Sequence, residues 1–344
     1  MGSSPRILVL GYRHLGDSLF LTPMLRAMKR FAPNGHTTVL AHGIGAAVLE
    51  GNPHVDEVFK VSCRGMAAKF SHLTPLRRTR YDIGILAQHS LANAVFLWSV
   101  GCKQRVGIDS KGCGLFLTHR VPTMGLVHEV TRYLKLAEAL GANGDSSGLE
   151  FFTTEADHQS IAHFLFERGY DLQQRDGRPL IALFPGSSQQ WRFKRWPADR
   201  FAQTGSRLVM QHNACLLLLG GPDDRDAIDE ISQTLTVPFC VVDSSHSIGR
   251  LAALLAACDL LITNDSGPMH LATAVGTPVV DLAGPSDPRR TGPYGAGHVV
   301  IQRVEPGSPK QWINAPDPQL PMKAIGVEDV VAAAVEQIAK TRLV

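Results

Sequence analysis

The sequence lacks the features that would place it in a specialised class at once. Its longest apolar stretch, residues 251–263, contains Asp259 and is too short to span a bilayer. No targeting segment is expected, because residues 1–6 lead straight into the apolar run 7–10. Arg6 also stands where a myristoylation pattern wants Ser or Thr. The six cysteines, at 63, 102, 113, 215, 240 and 258, form no C-x-x-C pair, and none stands with His at zinc-ligand spacing. They read as reduced, mostly buried thiols of a cytosolic protein.

What is present begins with charge. The net charge of +3 hides an asymmetry: residues 1–150 carry 17 Lys/Arg and 10 Asp/Glu, whereas residues 151–344 carry 17 and 21. A basic half suits an anionic partner, whether a phosphorylated lipid, a nucleic acid or a membrane surface. A merely solvated basic face is the alternative. At 44% hydrophobic and 19% charged residues, the composition is that of an ordinary globular protein, and 344 residues suffice for two domains.

Short runs rich in Val, Ile and Leu alternate with amphipathic stretches. Residues 6–10, 37–41, 57–61 and 82–86 read as strands, with helices expected over 18–31 and 67–79. The rhythm restarts at 180–184, 215–219, 239–242, 260–263 and 279–282. Continuous apolar strands separated by helices imply an α/β fold with parallel sheets covered on both faces. The polar stretch 173–178 marks the expected break, giving an N-terminal domain over 1–172 and a C-terminal domain over 179–324. Residues 305–322, with five prolines, read as a loop, and 325–340 as a final helix. Each half opens as strand, Gly-containing loop and helix, so the carboxyl ends of both sheets would face one ligand-binding cleft.

Four loops carry candidate chemistry. The first is Gly11-Tyr12-Arg13-His14-Leu15-Gly16-Asp17-Ser18. It has P-loop spacing up to Gly16, but Asp17 replaces the required Lys and would repel a triphosphate. Gly16-Asp17-Ser18-Leu19 also spells the opening of GDSL hydrolases, with Ser18 as nucleophile. Their late Asp-x-x-His is matched in spelling by Asp243-Ser244-Ser245-His246, a hundred residues before the C-terminus. Asp17 as a plain helix cap is the structural alternative. The second is Pro185-Gly186-Ser187-Ser188, followed by Lys194-Arg195-Trp196-Pro197, where small hydroxyl residues and one Lys suit a diphosphate. The third is Thr263-Asn264-Asp265-Ser266-Gly267-Pro268-Met269-His270, where Ser266 and Gly267 offer backbone N–H groups at a helix start. The fourth, Gly284-Pro285-Ser286-Asp287-Pro288, closes over a sugar, contacts an acceptor or is a plain turn. Asp224-Arg225-Asp226 spells a metal-binding D-x-D, yet helix-start acids are the blander reading, and no other cluster for a metal appears.

These motifs, in this order, resemble glycosyltransferase family 9, the ADP-heptose heptosyltransferases of lipopolysaccharide core assembly. The resemblance rests on Gly16-Asp17 with Thr22-Pro23, His128-Glu129 with Arg132-Tyr133-Leu134, Pro185-Gly186-Ser187, Lys194-Arg195-Trp196-Pro197, 264–270 with Gly276-Thr277-Pro278, and 284–288. It covers nearly the whole chain. Many relatives carry cysteines in the late loop, where 311–322 has none, although Met322-Lys323-Ala324-Ile325 remains. The resemblance implies a GT-B fold, two Rossmann-like domains facing across a cleft, and an inverting transfer from ADP-heptose to the inner core without a metal or other cofactor. It places the catalytic base at Asp17 and donor binding at Gly186, Ser187, Ser188, Lys194, Asp265, Ser266, Gly267 and His270. The basic residues Arg64, Arg77, Arg78 and Arg80 are the expected acceptor contacts. The expected partners are a nucleotide sugar and an anionic lipopolysaccharide core, with no nucleic acid. The expected location is the cytoplasm, with peripheral contact at the inner membrane. A sugar-nucleotide epimerase of similar architecture and a non-catalytic nucleotide-binding module stay as competing expectations.

Overall fold

A computed structural model describes residues 4–61, 66–145, 147–172, 174–175, 177–245 and 247–341. The chain divides into two compact units, Met1–Phe151 and Phe152–Val344.

The first unit contains β1 (Arg6–Leu10), β2 (His36–Ala41), β3 (Glu57–Lys60), β4 (Ile83–Leu86), β5 (Gln104–Ile108) and β6 (His119–Val121). Its helices are α1 (Leu15–Leu19), α2 (Thr22–Phe31), α3 (Gly43–Leu49), α4 (Met66–Ser71), α5 (Leu73–Thr79), α6 (Leu91–Val100) and α7 (Glu129–Glu138). All strand pairs are parallel, in the order β3-β2-β1-β4-β5-β6. Leu8, Leu10, Leu40, Leu86, Phe96 and Leu97 lie in the core on one face of the sheet.

The second unit contains β7 (Leu180–Phe184), β8 (Cys215–Gly220), β9 (Cys240–Asp243), β10 (Leu260–Asn264), β11 (Val279–Leu282) and β12 (Val299–Ile301). Its helices are α8 (Glu155–Phe166), α9 (Ala198–His212), α10 (Arg225–Thr234), α11 (Ile248–Ala257), α12 (Gly267–Ala274), α13 (Pro288–Thr291), α14 (Pro309–Ile313), α15 (Leu320–Lys323) and α16 (Val327–Thr341). The order β12-β11-β10-β7-β8-β9 is again all parallel. Numbered within its own unit, each sheet runs 3-2-1-4-5-6, the Rossmann order. The direction of winding reverses between β1 and β4 in one unit and between β7 and β10 in the other. Ligands of such sheets bind at the carboxyl ends of the strands flanking that reversal.

Several boundaries differ from those read in the sequence. The expected helix over 18–31 is two helices, because the chain turns at Phe20 and Leu21 and Pro23 then enters the first turn of α2. The stretch 67–79 also divides, with Pro75 in the first turn of α5. Residues 305–322 include α14 and α15 rather than loop alone. The break between units falls at Phe151/Phe152, well before 173–178. Helix α8 explains the difference: it opens with a capping box at Thr154 and Asp157 and packs on α11 of the second unit. The final helix also belongs there, since Val330, Val331, Ala334 and Ile338 join the second core. Arg303 and Arg207 tie the start of that helix through Asp329 and Glu328.

Candidate active site

In the first unit the loops after β1 and β4 meet. Tyr12 Oη donates to the Ala87 carbonyl at 2.9 Å, and Tyr133 Oη of α7 donates to Tyr12 Oη at 2.7 Å. Gln88 Nε2 donates to the Gly11 carbonyl at 2.6 Å. Gln88 in turn accepts from Asn93 Nδ2 at 2.8 Å, and Asn93 accepts from Lys69 Nζ at 2.9 Å. A relay of side chains thus fixes the tip of β1, where the loop leading to Asp17 begins.

Asp17 lies in the first turn of α1, half-buried. It is not the cap of that helix, whose N-cap is His14. Burial pushes its carboxyl pKa up, His14 opposes the shift, and the Glu129 carboxylate adds to it. Glu129 opens α7, and His128 caps that helix by accepting from Val130 N–H at 3.2 Å. Within the motif His128-Glu129, Glu129 thus adds a smaller, raising contribution to the Asp17 pKa behind burial and His14. Ser18 is fully buried. Its Oγ lies where Gly45 approaches so closely that an added Cβ would stand 2.6 Å away. A hydroxyl walled in this way cannot attack a substrate, which removes the ground for the GDSL reading. His246, the other half of that motif, lies outside the described residues.

In the second unit the loops after β7 and β10 bring the donor candidates together. Asn264 Nδ2 donates to the Pro185 carbonyl at 2.8 Å, while its Oδ1 accepts from Trp196 N–H at 2.9 Å. One buried amide thus joins the β10 tip, the β7 loop and the segment after Lys194. Lys194 Nζ pairs with Asp265 Oδ2 at 3.1 Å and lies 5.3 Å from the centre of the Trp191 ring. Burial works to raise the Asp265 pKa, but the Lys194 ammonium, a Ser286 hydrogen bond and His270 together outweigh it and hold the carboxyl below its ordinary value. Asp281, fully buried on β11, has no hydrogen-bond partner for either carboxylate oxygen among the described residues. Burial and the Asp265 charge push its pKa well up, which favours the neutral acid.

Ser266 is the N-cap of α12, but its side chain makes no capping bond; its Oγ lies 3.2 Å from Thr263 Oγ1. The backbone N–H groups of the first helical turn are therefore left without a cap from that hydroxyl, the condition for anion binding. His270 sits buried on the same helix and adds positive charge toward Asp265 when protonated. Ser188 is exposed. Ser187 is buried, and its Oγ accepts from Arg195 Nε at 3.2 Å.

Arg195 has a further role that sequence reading missed. It pairs with Asp224 at 2.9 Å and with Asp226 at 3.1 Å, and donates to the Ser187 carbonyl at 2.9 Å. The D-x-D spelling is thus a support for the 185–188 loop. Gly186 completes it, since a Cβ there would stand 2.3 Å from Asp224 Oδ1. Among the described residues, no group of three or more His, Cys, Asp and Glu could hold a metal ion. In the fourth loop Asp287 caps α13 and pairs with Arg289, while Gln302 holds the Gly284 and Ser286 carbonyls. Arg77, Arg78 and Arg80 stand exposed at the end of α5, where Arg6 at the start of β1 donates to the Thr79 carbonyl, so they lie at the other end of the sheet from Asp17 and are not brought to the site; Arg64 lies outside the described residues.

The pattern of "Glycosyltransferase family 9 (heptosyltransferase)" matches residues 70–318. The chain belongs to glycosyltransferase family 9. It is 27% identical over 311 residues to lipooligosaccharide heptosyltransferase 2 of Haemophilus influenzae, covering 87% of this chain and 89% of that protein. Its fold is shared with a glycosyltransferase family 9 structure from Veillonella parvula, at TM-score 0.86 and 26% identity over 99% of both chains. The E. coli ADP-heptose lipopolysaccharide heptosyltransferase II follows at TM-score 0.80 and 22% identity, over 98% of this chain and 99% of that one. As a family 9 glycosyltransferase, the protein carries its two Rossmann-like sheets as a GT-B fold. The 11–14, 185–188 and 265–266 loops follow the carboxyl ends of β1, β7 and β10.

Proposed function

We propose that this glycosyltransferase moves heptose from ADP-heptose to the inner core of lipopolysaccharide, by a single inverting displacement that uses no metal. The observation that carries the reading is the Lys194–Asp265 pair beside the start of α12, at the winding reversal of the second sheet. A cation held by a carboxylate, next to backbone N–H groups, suits a sugar diphosphate. Lys194 meets the leaving diphosphate, the N–H groups of Ser266 and Gly267 share its charge, and Asp265 is left to accept from a sugar hydroxyl. That arrangement supplies the charge stabilisation a metal would otherwise give, and Arg195 already engages both acids of the D-x-D sequence.

The first unit supplies the base. Asp17 takes the proton of the attacking acceptor hydroxyl as the new bond to the anomeric carbon forms and the diphosphate departs from the opposite face. Its raised pKa brings its basicity nearer to working pH, which favours proton transfer. Incubation with ADP-heptose and truncated lipopolysaccharide acceptors, followed by mass spectrometry, tests the reading. One heptose should be added to the acceptor, with inverted anomeric configuration by NMR and no loss of rate in EDTA. Conversion of donor without acceptor would indicate an epimerase, and donor binding without turnover would indicate a binding module.

A further inference from the structure

Helix α6 is unusual for a surface helix because it carries no charged residue. Its buried side packs into the first core through Ala94, Phe96, Leu97 and Val100. Its other side is apolar as well: Leu91 is 46% exposed and Trp98 54% exposed, seven residues apart and so on one face. The turn at Cys113–Phe116 extends this surface. Trp98 and Phe116 meet edge to face with ring centres 5.9 Å apart, and Leu91 lies beside Gly112. At the apex Leu115 is 81% exposed. It is held out on a braced turn, because Arg105 donates to the Phe116 carbonyl at 2.6 Å and to the Cys102 carbonyl at 2.6 Å. A rigid, protruding leucine beside an exposed tryptophan marks a contact surface.

The charge around it says what the contact is. Residues 61–120 contain nine Lys/Arg and two Asp/Glu, which equals the whole positive balance of the first 150 residues. Asp82 is paired with Lys103, and Asp109 is folded against Gly114. Lys111 is exposed beside the turn, and α5, whose Arg77 and Arg78 are exposed, packs on α6. A second copy of so basic a surface would repel it. An anionic bilayer complements both features: the apolar tip enters the headgroup boundary, tryptophan favours that depth, and the lysines and arginines face lipid phosphates. We propose that Leu91, Trp98 and Leu115 form a docking surface through which the first unit sits on an anionic membrane. The purpose rests on the reading of the acceptor as a membrane-held glycolipid, but the docking itself needs neither donor nor acceptor.

Vesicle co-sedimentation of the full chain tests it, comparing phosphatidylcholine with phosphatidylcholine mixed with phosphatidylglycerol. The parent should bind the anionic vesicles, less so in high salt, and bind neutral ones weakly. Leu115→Glu and Trp98→Ser should each weaken binding roughly tenfold or more, since either removes apolar contact from a small patch. Both should keep the parent's melting temperature and its rate on a soluble truncated acceptor. Parent-like vesicle binding by both variants, or equal binding to neutral and anionic vesicles, would overturn the proposal. So would a concentration-dependent dimer abolished by Leu115→Glu in the absence of lipid, which would assign the surface to a second copy. Failure here would leave the transfer reaction standing, because that reaction is assayed on a soluble acceptor.

Discussion

Replacing Lys194 by Met removes an ammonium while keeping most of the side-chain volume. Asp265 then loses its partner at 3.1 Å in a place where its own side chain is 12% exposed and that of Lys194 20%. Breaking a buried pair on one side costs about 3–5 kcal/mol, and the partial exposure of Lys194 points to the lower end, roughly 3 kcal/mol. For a unit of this size that lowers the melting temperature by about 6–12 °C. The sign with pH follows from Asp265. In the parent its folded pKa is depressed, so the pair's contribution is complete above the unfolded carboxylate value near ~3.9 and is lost as pH falls through the folded pKa. In the variant the Lys194 charge is gone and burial is opposed only by the Ser286 hydrogen bond and His270, so the folded pKa rises above the parent's. The deficit against the parent then grows as pH rises from the parent's folded pKa through the variant's. The deficit against the parent should therefore be small near ~pH 4 and full near ~pH 7. Thermal unfolding without donor, across that pH range, measures it. Lys194→Met combined with Asp265→Asn should recover most of the loss, since no buried charge is then left alone. A double variant as unstable as Lys194→Met, or a deficit that does not depend on pH, would refute the reasoning.

Asp17→Asn should keep the fold and donor affinity and lower kcat by roughly 10²–10⁴-fold, whereas Ser18→Ala should be nearly silent in transfer kinetics. Because the base works only when ionised, kcat should fall as pH drops through the raised pKa of Asp17. Glu129→Gln removes one cause of that rise, so the acid limb should move to lower pH in a pH–rate profile; a limb that stays in place would dismiss Glu129. Arg195→Ala should cost about 3–5 kcal/mol in denaturant unfolding, because it strands the buried Asp224. It should also weaken donor binding in calorimetry by loosening the 185–188 loop. The acceptor KM should rise with salt if the basic first unit holds an anionic core; a KM flat across salt would count against that.

The central strands were legible because β1, β4, β7, β8 and β10 are buried on both faces and read as largely apolar runs. β5, β6 and β12 were not read: Gln104, Arg105, His119 and Arg120 interrupt two of them, and the third has three residues. These lie toward sheet edges, where one side is less buried and the apolar signal thins. The site loops were legible for a related reason, since each follows a strong strand and opens a helix. Their partners were not. Arg195 meets Asp224, Tyr133 meets Tyr12, and Asp17 feels Glu129 only after the chain has returned from a distant segment. No periodicity encodes such a meeting. Asp281 shows the limit most plainly, because a lone acid in an apolar strand reads as an interruption until Asp265 and Lys194 are seen beside it.

The amide of Asn264 has a consequence for how the second unit opens. It grips the carbonyls after β7 with its nitrogen and the Trp196 N–H with its oxygen. Neither loop can detach without breaking a bond that also restrains the other. Local opening of the donor platform should thus be all-or-none: the Trp196 amide and those around 185–188 should exchange with solvent deuterium at one shared rate, as a single cooperative unit. Asn264→Ala should split that rate in two, leaving each loop to breathe on its own clock.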